Sequence, residues 1–239
     1  MSAFPLEQEH RPPGTPLSII IPVLNEADAL PILLAALQPL RAQGAEVIVV
    51  DGESQDGTPK LARPLADRVL ISPPGRARQM NLGAAQARAD ALVFLHADTR
   101  LPPNALTLIT QALATRLWGR FDIHLDGRSH WLPVISAMMN LRSHLSGIAT
   151  GDQALFIRRD AFDAVGGFPE QPLMEDIEIT KRLKRLSRPT CLRAKVVSSG
   201  RRWDQYGAWR TMVLMWRLRY RYWRGASAKD LAKEYRHVR

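Results

Sequence analysis

Length, composition and charge limit what this chain can be. Its 239 residues suffice for one large α/β domain or two small ones, and 46% hydrophobic with 23% charged residues is an ordinary globular composition. The single cysteine, Cys191, excludes an internal disulfide and a cysteine-based zinc site, which fits a reducing compartment. No stretch reaches the ~18 consecutive apolar residues that a membrane-spanning helix needs.

The positive charge is concentrated near the C-terminus. Of the net charge of +10, residues 195–239 contribute +9 from 12 basic and 3 acidic side chains, and the other 194 residues contribute +1. Such a tail indicates an anionic partner surface, either a membrane or a nucleic acid. Residues 1–16 are polar and proline-rich, without the basic and apolar regions of a signal peptide, so we expect a flexible leader there.

The first hundred residues alternate between predicted strands and predicted helices. The strands are 17–23, 47–50, 68–71 and 91–95, and the helices are 29–37, one starting near residue 59, and 76–87. Pro39 and Gly44 should end the first helix. Strands separated by helices of this length form a parallel sheet, so the sequence predicts an α/β fold.

Beyond Asp98 the alternation becomes less regular. The predicted helices are 104–115, 131–145, 160–165 and 173–186, and the predicted strands are 118–125, 154–157 and 190–199. A helix rich in Trp, Tyr, Met and Arg follows from 206 to about 224, and residues 227–230 start another. The tail helix has three interpretations: a membrane-interface helix, a helix packed on the body with solvated arginines, or a nucleic-acid-binding segment, which the near-neutral body disfavours.

Polar residues follow three of the predicted strands. Asn25 with Glu26, Asp51, and Asp98 stand at strand ends, and open α/β sheets bind ligands at the carboxyl ends of their strands. Asp98 is the first candidate for holding a cation or a phosphate-bearing substrate, the alternative being a cap of the helix near Pro103. The chain has no G-x-G-x-x-G after the first strand and no G-x-x-x-x-G-K-[ST], so a dinucleotide-binding or P-loop protein loses its main support.

Four motifs in order resemble family-2 glycosyltransferases, which have the GT-A fold. The motifs are 18–26, 49–58, 94–99, and 166–168 with 174–176, and the match runs from about residue 17 to 203. The resemblance implies a compact bacterial transferase with a GT-A catalytic domain over 17–203. Its central sheet would be mostly parallel and flanked by helices. Residues 204–239 would form a basic amphipathic helical tail.

The resemblance also implies a donor site. Residues that would line the nucleotide are Pro22, Asn25, Glu26 and Asp51. Asp98 would match the last acid of the D-x-D element, after Ala97, and would bind Mg²⁺ or Mn²⁺ at the diphosphate of a UDP- or GDP-linked sugar. His96 stands where the first acid belongs. Either substrate phosphates complete the metal shell, or His96 contacts the metal or the sugar, or His96 is structural.

The catalytic base of an inverting transferase is matched by Asp176, which would take the proton of the acceptor hydroxyl. Glu175 would position the acceptor or orient Asp176. The sequence does not exclude Glu175 or Glu178 as the base, and all three acids also suit the start of a helix. Asp152 and Gln153 resemble the segment that faces donor sugar and acceptor, with a simple turn as the equal alternative.

Basic residues offer further donor contacts. Arg76 and Arg78 open a helix, and we favour Arg78 as the donor contact over a solvated position. Arg202 and Trp203 belong to an abbreviated form of the R-x-x-R-W element of processive members and could cover the diphosphate.

The acceptor stays open, a lipid-linked one included. We expect a cytoplasmic protein that becomes peripheral at the inner face of the plasma membrane if its tail binds anionic lipid, and we do not expect a nucleic-acid partner. Two alternatives to the transferase remain. One is a non-catalytic nucleotide-sugar-binding module, supported by His96. The other is a nucleotidyltransferase, which would need a glycine-rich, basic loop where Leu24, Asn25 and Glu26 stand.

Overall fold

The computed structural model describes residues 15–237, with side chains through residue 235, so residues 1–14 of the predicted leader lie outside the described residues. The strands are β1 (Ser18–Val23), β2 (Glu46–Asp51), β3 (Arg68–Ile71), β4 (Ala91–Phe94), β5 (Thr99–Arg100), β6 (Trp118–Asp126), β7 (Leu155–Arg158) and β8 (Thr190–Ser199). The helices are α1 (Leu30–Ala42), α2 (Thr58–Ala62), α3 (Arg76–Gln86), α4 (Ala105–Thr115), α5 (Leu132–Ser146), α6 (Arg159–Ala164), α7 (Glu175–Leu186), α8 (Arg201–Tyr206), α9 (Ala208–Trp223) and α10 (Ala228–His237).

One sheet of eight strands organises the described residues, in the order β3-β2-β1-β4-β7-β6-β8-β5. The first four strands in sequence pair in parallel. β7 runs antiparallel to β4 and β6, whereas β6 and β8 are parallel. The carboxyl ends of β1, β2 and β4 therefore share one edge, as the sequence predicted for the residues that follow them.

The parallel strands are covered on both faces, which explains their continuous apolar sequences. In β1, Ile19 and Ile21 pack on the α1 side of the sheet, and Ile20 packs on the α3 side with Met80. At Gly83 of α3, a Cβ would lie 2.5 Å from the Ile20 side chain, so only glycine allows this close helix–sheet approach.

Two predicted helix boundaries were wrong. Helix α1 continues through Pro39 to Ala42. The proline removes one backbone hydrogen bond, but the burial of Leu37 and Leu40 holds the last turn on the core. The tail is not one helix from residue 206, since α8 and α9 are separated by Gly207, whose φ of +82° interrupts the helical backbone.

The C-terminal helices pack against the body. Leu218 of α9 and Leu231 of α10 are fully buried in a small core with Ile177 of α7. Glu234 of α10 forms ion pairs with Arg217 and Arg221 of α9. These contacts fix α9 beside the start of α7. Within residues 15–237, no helix is both long and apolar enough to cross a membrane.

Candidate active site

A cavity of about 700 Å³ lies at the carboxyl edge of the parallel strands and is closed on one side by α5 and α9. Most of the residues that the sequence singled out line it. They are Pro22, Glu26, His96, Ala97, Asp98, Asp152, Glu175, Asp176, Arg202 and Trp203. They come from strand ends, from a short 3₁₀ helix at Gly151–Gln153, and from the first turns of α7 and α8.

Asp176 sits in the first turn of α7 and is held by two backbone donors. Gly151 N–H donates to its Oδ2 at 3.0 Å, and Ile177 N–H donates to its Oδ1 at 2.7 Å. Each carboxylate oxygen can accept a second hydrogen bond, so the group can still receive a proton from the cavity. Glu178 lies outside the cavity lining and interacts with Arg182, at 3.4 Å, and with Tyr222. This geometry separates Glu178 from the two acids that face the cavity.

Glu175 is the buried neighbour of Asp176, only 7% exposed. Burial raises the pKa of the Glu175 carboxyl, and the adjacent charge of Asp176 raises that pKa further, although Arg76 opposes both effects. Arg76 has an exposed side chain in the cavity lining; desolvation there disfavours its charge, but Glu175 and Asp152 raise its pKa overall. The protonation of Glu175 therefore depends on the charges of Asp176 and Arg76 beside it.

A Glu175→Gln variant is expected to be more stable than the wild type at about pH 8. The folded-state pKa of Glu175 lies above the unperturbed 4.5, so the stability associated with its proton is complete below pH 4.5 and falls as the pH rises through the folded-state value. Gln mimics the protonated acid and removes this loss. Melting temperatures measured from acidic to alkaline pH should converge near pH 4.5 and separate above it. A variant less stable than the wild type at every pH would contradict the raised pKa.

His96 is tied to the 3₁₀ helix on the opposite wall. Its Nδ1 lies 3.0 Å from Asp152 Oδ1, and a Cβ on Gly151 would lie 2.5 Å from its Nε2, so any side chain at 151 would displace the His96 ring. The cavity encloses Asp152, which opposes its charge, but the hydrogen bond from His96 and the charges of Arg76 and Arg202 lower its pKa well below the usual range. About 47% of the Asp152 side chain stays open to the cavity.

Asp98 and Glu26 form the end of the cavity nearest the strands. The Asp98 carboxylate has one long contact, 3.5 Å from Thr99 Oγ1, and α4 is preceded by Asn104, so Asp98 does not cap that helix. Partial burial raises the pKa of Glu26, Arg201 at 3.9 Å opposes this, and Asp98 adds to it. Within residues 15–237, no group of three or more His, Cys, Asp or Glu side chains forms a metal site by itself.

Four predicted site residues do not line the cavity. Asn25 Oδ1 accepts from Gln55 N–H at 2.9 Å and so ties two loops together. Arg78 pairs with exposed Glu170 at 3.2 Å, and Gln153 is fully buried under the 3₁₀ helix. Asp51 is buried at the end of β2. Its Oδ2 accepts from Ser54 N–H at 2.8 Å, but its Oδ1 has no hydrogen-bond partner among the described residues.

Other lining residues were either passed over for a neighbour, as Arg76 was for Arg78, or not singled out by the sequence at all. Arg76 faces the cavity where Arg78 does not, because residues two apart on a helix point in different directions. Arg142 of α5 and Arg219 of α9 also line the cavity. No local pattern distinguishes them from solvent-facing arginines. Only the packing of α5 and α9 brings them to the site.

Comparison with known proteins identifies the family. The sequence profile of glycosyl transferase family 2 matches residues 18–168, more than half of the chain. The chain belongs to glycosyl transferase family 2. The predicted family is therefore confirmed, on a match that includes the strand-end motifs with Asp51 and Asp98.

The family-2 chain has curated relatives of moderate identity. Succinoglycan biosynthesis protein ExoA of Rhizobium meliloti is 32% identical over 191 residues, covering 69% of this chain and 57% of the relative. An undecaprenyl-phosphate 4-deoxy-4-formamido-L-arabinose transferase of Pseudomonas paraeruginosa is 29% identical over 156 residues, covering 59% of this chain and 46% of the relative. The chain thus matches about half the length of each of these relatives.

Solved structures show the same fold. The mannosyltransferase PcManGT from Pyrobaculum calidifontis, in complex with GDP-Man and Mn²⁺, has a TM-score of 0.60 at 20% identity, covering 77% of this chain and 57% of its own. Glucosyl-3-phosphoglycerate synthase from Mycobacterium tuberculosis, in complex with Mn²⁺ and UDP-Glc, has a TM-score of 0.57 at 20% identity, covering 76% and 69%. The predicted GT-A fold is confirmed.

Proposed function

We propose that this chain transfers a sugar from a nucleotide-sugar to an acceptor hydroxyl with inversion at the anomeric carbon. The observation that carries the proposal is Asp176, a carboxylate held by two backbone donors and facing the same cavity as Asp98. The chain's membership of glycosyl transferase family 2 supports sugar transfer as the class of reaction.

The strand-end side of the cavity is our candidate donor site. Pro22, Glu26 and Asp98 line it, and the unpartnered Oδ1 of buried Asp51 offers an acceptor for an N–H of the base. We assign Arg202 and Trp203 of α8, which line the same cavity, to the diphosphate. PcManGT is described with GDP-Man, and glucosyl-3-phosphoglycerate synthase with UDP-Glc, which supports a nucleotide-sugar donor here.

The residues present fit a divalent cation that is shared with the substrate. Asp98 supplies a hard oxygen ligand whose carboxylate makes one weak hydrogen bond among the described residues, and Mg²⁺ in such sites is held by one or two carboxylates plus phosphate oxygens. Both solved relatives contain Mn²⁺. A cation bound there would neutralise charge on the departing diphosphate. His96 is engaged by Asp152 and would fix the shape of the site rather than replace the missing carboxylate.

The chemical step that we propose runs through Asp176. The acceptor hydroxyl oxygen forms a bond to the anomeric carbon while the bond from that carbon to the diphosphate oxygen breaks. The hydroxyl proton passes to the Asp176 carboxylate, and the nucleoside diphosphate leaves with the electron pair of the broken bond. Attack opposite the leaving group inverts the configuration. Glu175, whose pKa is raised by burial and by Asp176, would orient the base.

Nucleotide binding tests the donor site directly. UDP, GDP and their sugar conjugates should stabilise the protein, with a free-energy gain of about 2.7 kcal/mol at 100 times the Kd. With Mn²⁺ present, one nucleotide should give the larger thermal shift, and Asp98→Asn should remove the dependence on Mn²⁺. Asp126→Asn, an exposed acid outside the cavity lining, is the matched control. No shift with any nucleotide would favour a degenerate binding module. Pyrophosphate release from a nucleoside triphosphate would favour a nucleotidyltransferase.

We further propose a lipid-linked acceptor, reached by peripheral binding to an anionic membrane at the inner face of the plasma membrane. Undecaprenyl-phosphate appears in the name of one relative, which supports this acceptor class. The division into a catalytic domain over 17–203 and a basic tail over 204–239 is part of the proposal, with the tail packed on the domain through Leu218.

A further inference from the structure

Two arginines on the helical side of the cavity lack the partners that enclosed guanidinium groups normally have. Arg142 Nε and Nη2 and Arg219 Nε are buried and form no hydrogen bond to the described residues. Neither side chain forms an ion pair among those residues, whereas Arg201, another arginine of the cavity lining, lies 3.9 Å from Glu26. Buried guanidinium N–H groups without hydrogen-bonded partners are unfavourable, so this pair is suited to bind an anion that enters the cavity.

The lowered pKa values of the two arginines also indicate that their positive charges are incompletely compensated. Burial and the nearby charge of Arg219 lower the pKa of Arg142 to about 9, with Asp176 opposing them. Burial also lowers the pKa of Arg219, and Asp176 and Asp152 oppose it. The acids that act on both arginines are Asp176 and Asp152. Asp98 and Glu26, at the proposed donor end, are not among them.

We infer that Arg142 and Arg219 bind an anionic oxygen group, a phosphate or carboxylate, of the acceptor, beside its attacking hydroxyl. This inference rests on the proposed function, because it needs Asp176 as the base on the acceptor side. A planar guanidinium matches the geometry of such oxygens, and two of them can hold one phosphate through several charge-assisted hydrogen bonds.

The remaining wall beside the pair is apolar. Ile135, Met138 and Met139 of α5 and Met212, Met215 and Trp216 of α9 line it. Flexible methionines accept an apolar chain of irregular shape. The pair therefore suits an acceptor whose anionic group is attached to an apolar body, and a small anionic metabolite would use the same two arginines without the methionines.

Calorimetric titration with inorganic phosphate, hexyl phosphate and hexanol tests the pair without knowledge of the acceptor. Hexyl phosphate should bind the wild type, and Arg142→Gln or Arg219→Gln should each weaken it by about 10-fold or more. Arg224→Gln, an exposed arginine of the same region outside the cavity lining, should change nothing. Tighter binding of hexyl phosphate than of inorganic phosphate supports an amphiphilic acceptor, and equal binding supports a small anionic one.

Melting temperature, nucleotide affinity and hexyl phosphate affinity distinguish acceptor binding by the two arginines from a structural role and from donor binding. If the arginines were structural, the melting temperature of the variants would fall, whereas removal of an unpaired enclosed charge should leave it unchanged or raise it. If they served the donor diphosphate, both variants would lose UDP or GDP affinity as strongly as hexyl phosphate affinity, which overturns the inference. Wild-type protein that binds hexyl phosphate through the pair but no nucleotide would refute the proposed function alone.

Discussion

Replacing Asp176 by Asn is expected to slow sugar transfer by about 10²- to 10⁴-fold, the range that a positioned general base contributes. The amide cannot accept the hydroxyl proton, but it retains the size and most of the contacts of the carboxylate. Nucleotide affinity should be nearly unchanged, because Asp176 is assigned to the acceptor hydroxyl and not to the nucleotide. The measurements are steady-state transfer, or donor hydrolysis if the acceptor is still unknown, together with UDP and GDP affinity.

The controls follow from the contacts of Asp176. The Asn amide would face Gly151 N–H if its nitrogen takes the place of Oδ2, so melting temperature must be measured alongside activity. Asp176→Ser, which cannot make that clash, should be equally inactive. Glu178→Gln, on the same helical turn but outside the cavity lining, should retain turnover. Unchanged turnover in Asp176→Asn would remove this residue as the base and leave Glu175 as the candidate.

The parallel half of the sheet was predictable because burial on both faces forces a continuous apolar sequence. The runs that became β1 to β4 need no tertiary information to be recognised, and their ends fix where Asp98 lies. The first turn of α7 was also predictable in part, since three acids at a helix start have a local electrostatic reason. Which of them faces the cavity depends on the 3₁₀ helix 25 residues earlier, whose Gly151 donates to Asp176.

The helical wall of the cavity could not be predicted in the same way. Arg142 and Arg219 are 77 positions apart in sequence, and each resembles a solvated arginine until α5 and α9 are packed on the sheet. The preference for Arg78 over Arg76 differs from the cavity lining for a related reason. Both open α3, but the direction of each side chain depends on where the helix begins, and Gly75, with a φ of +148°, sets that point. Local sequence does not determine such a boundary.

Two exposed apolar stripes flank the cavity and form the proposed membrane surface. The first stripe, along α5 and its N-cap, contains Trp131, Val134, Met138, Leu141 and Leu145. The second, along α9, contains Trp209, Val213, Trp216, Tyr220 and Trp223. Spacings of three and four residues place each set on one helix face. Met138 and Trp216 also line the cavity, so both stripes border the site. Arginines interleave with the second stripe, which suits an anionic headgroup layer.

Substituting stripe residues that do not line the cavity should therefore detach the protein from anionic vesicles. Trp209, Trp223, Leu141 and Leu145 are 60–79% exposed, so their change to Gln leaves the core intact. Each side chain contributes about 1 kcal/mol when partly inserted, and the fourfold variant should bind vesicles about 100- to 1000-fold more weakly. Ile32→Gln with Ile71→Gln, equally exposed on α1 and β3, is the matched control.

Varying the salt concentration and the lipid charge then separates the electrostatic contribution of the arginines from the apolar contribution of the stripes. Arginines near an anionic surface add about 1 kcal/mol each, so binding of the wild type should weaken with salt and on neutral vesicles, while the contribution of the stripes should persist. Deleting the tail would be a poorer test, because α9 supplies cavity residues and the buried Leu218. Wild-type protein that fails to sediment with anionic vesicles at low salt would eliminate the membrane surface. In that case the stripes would cover an acceptor that reaches the cavity from solution.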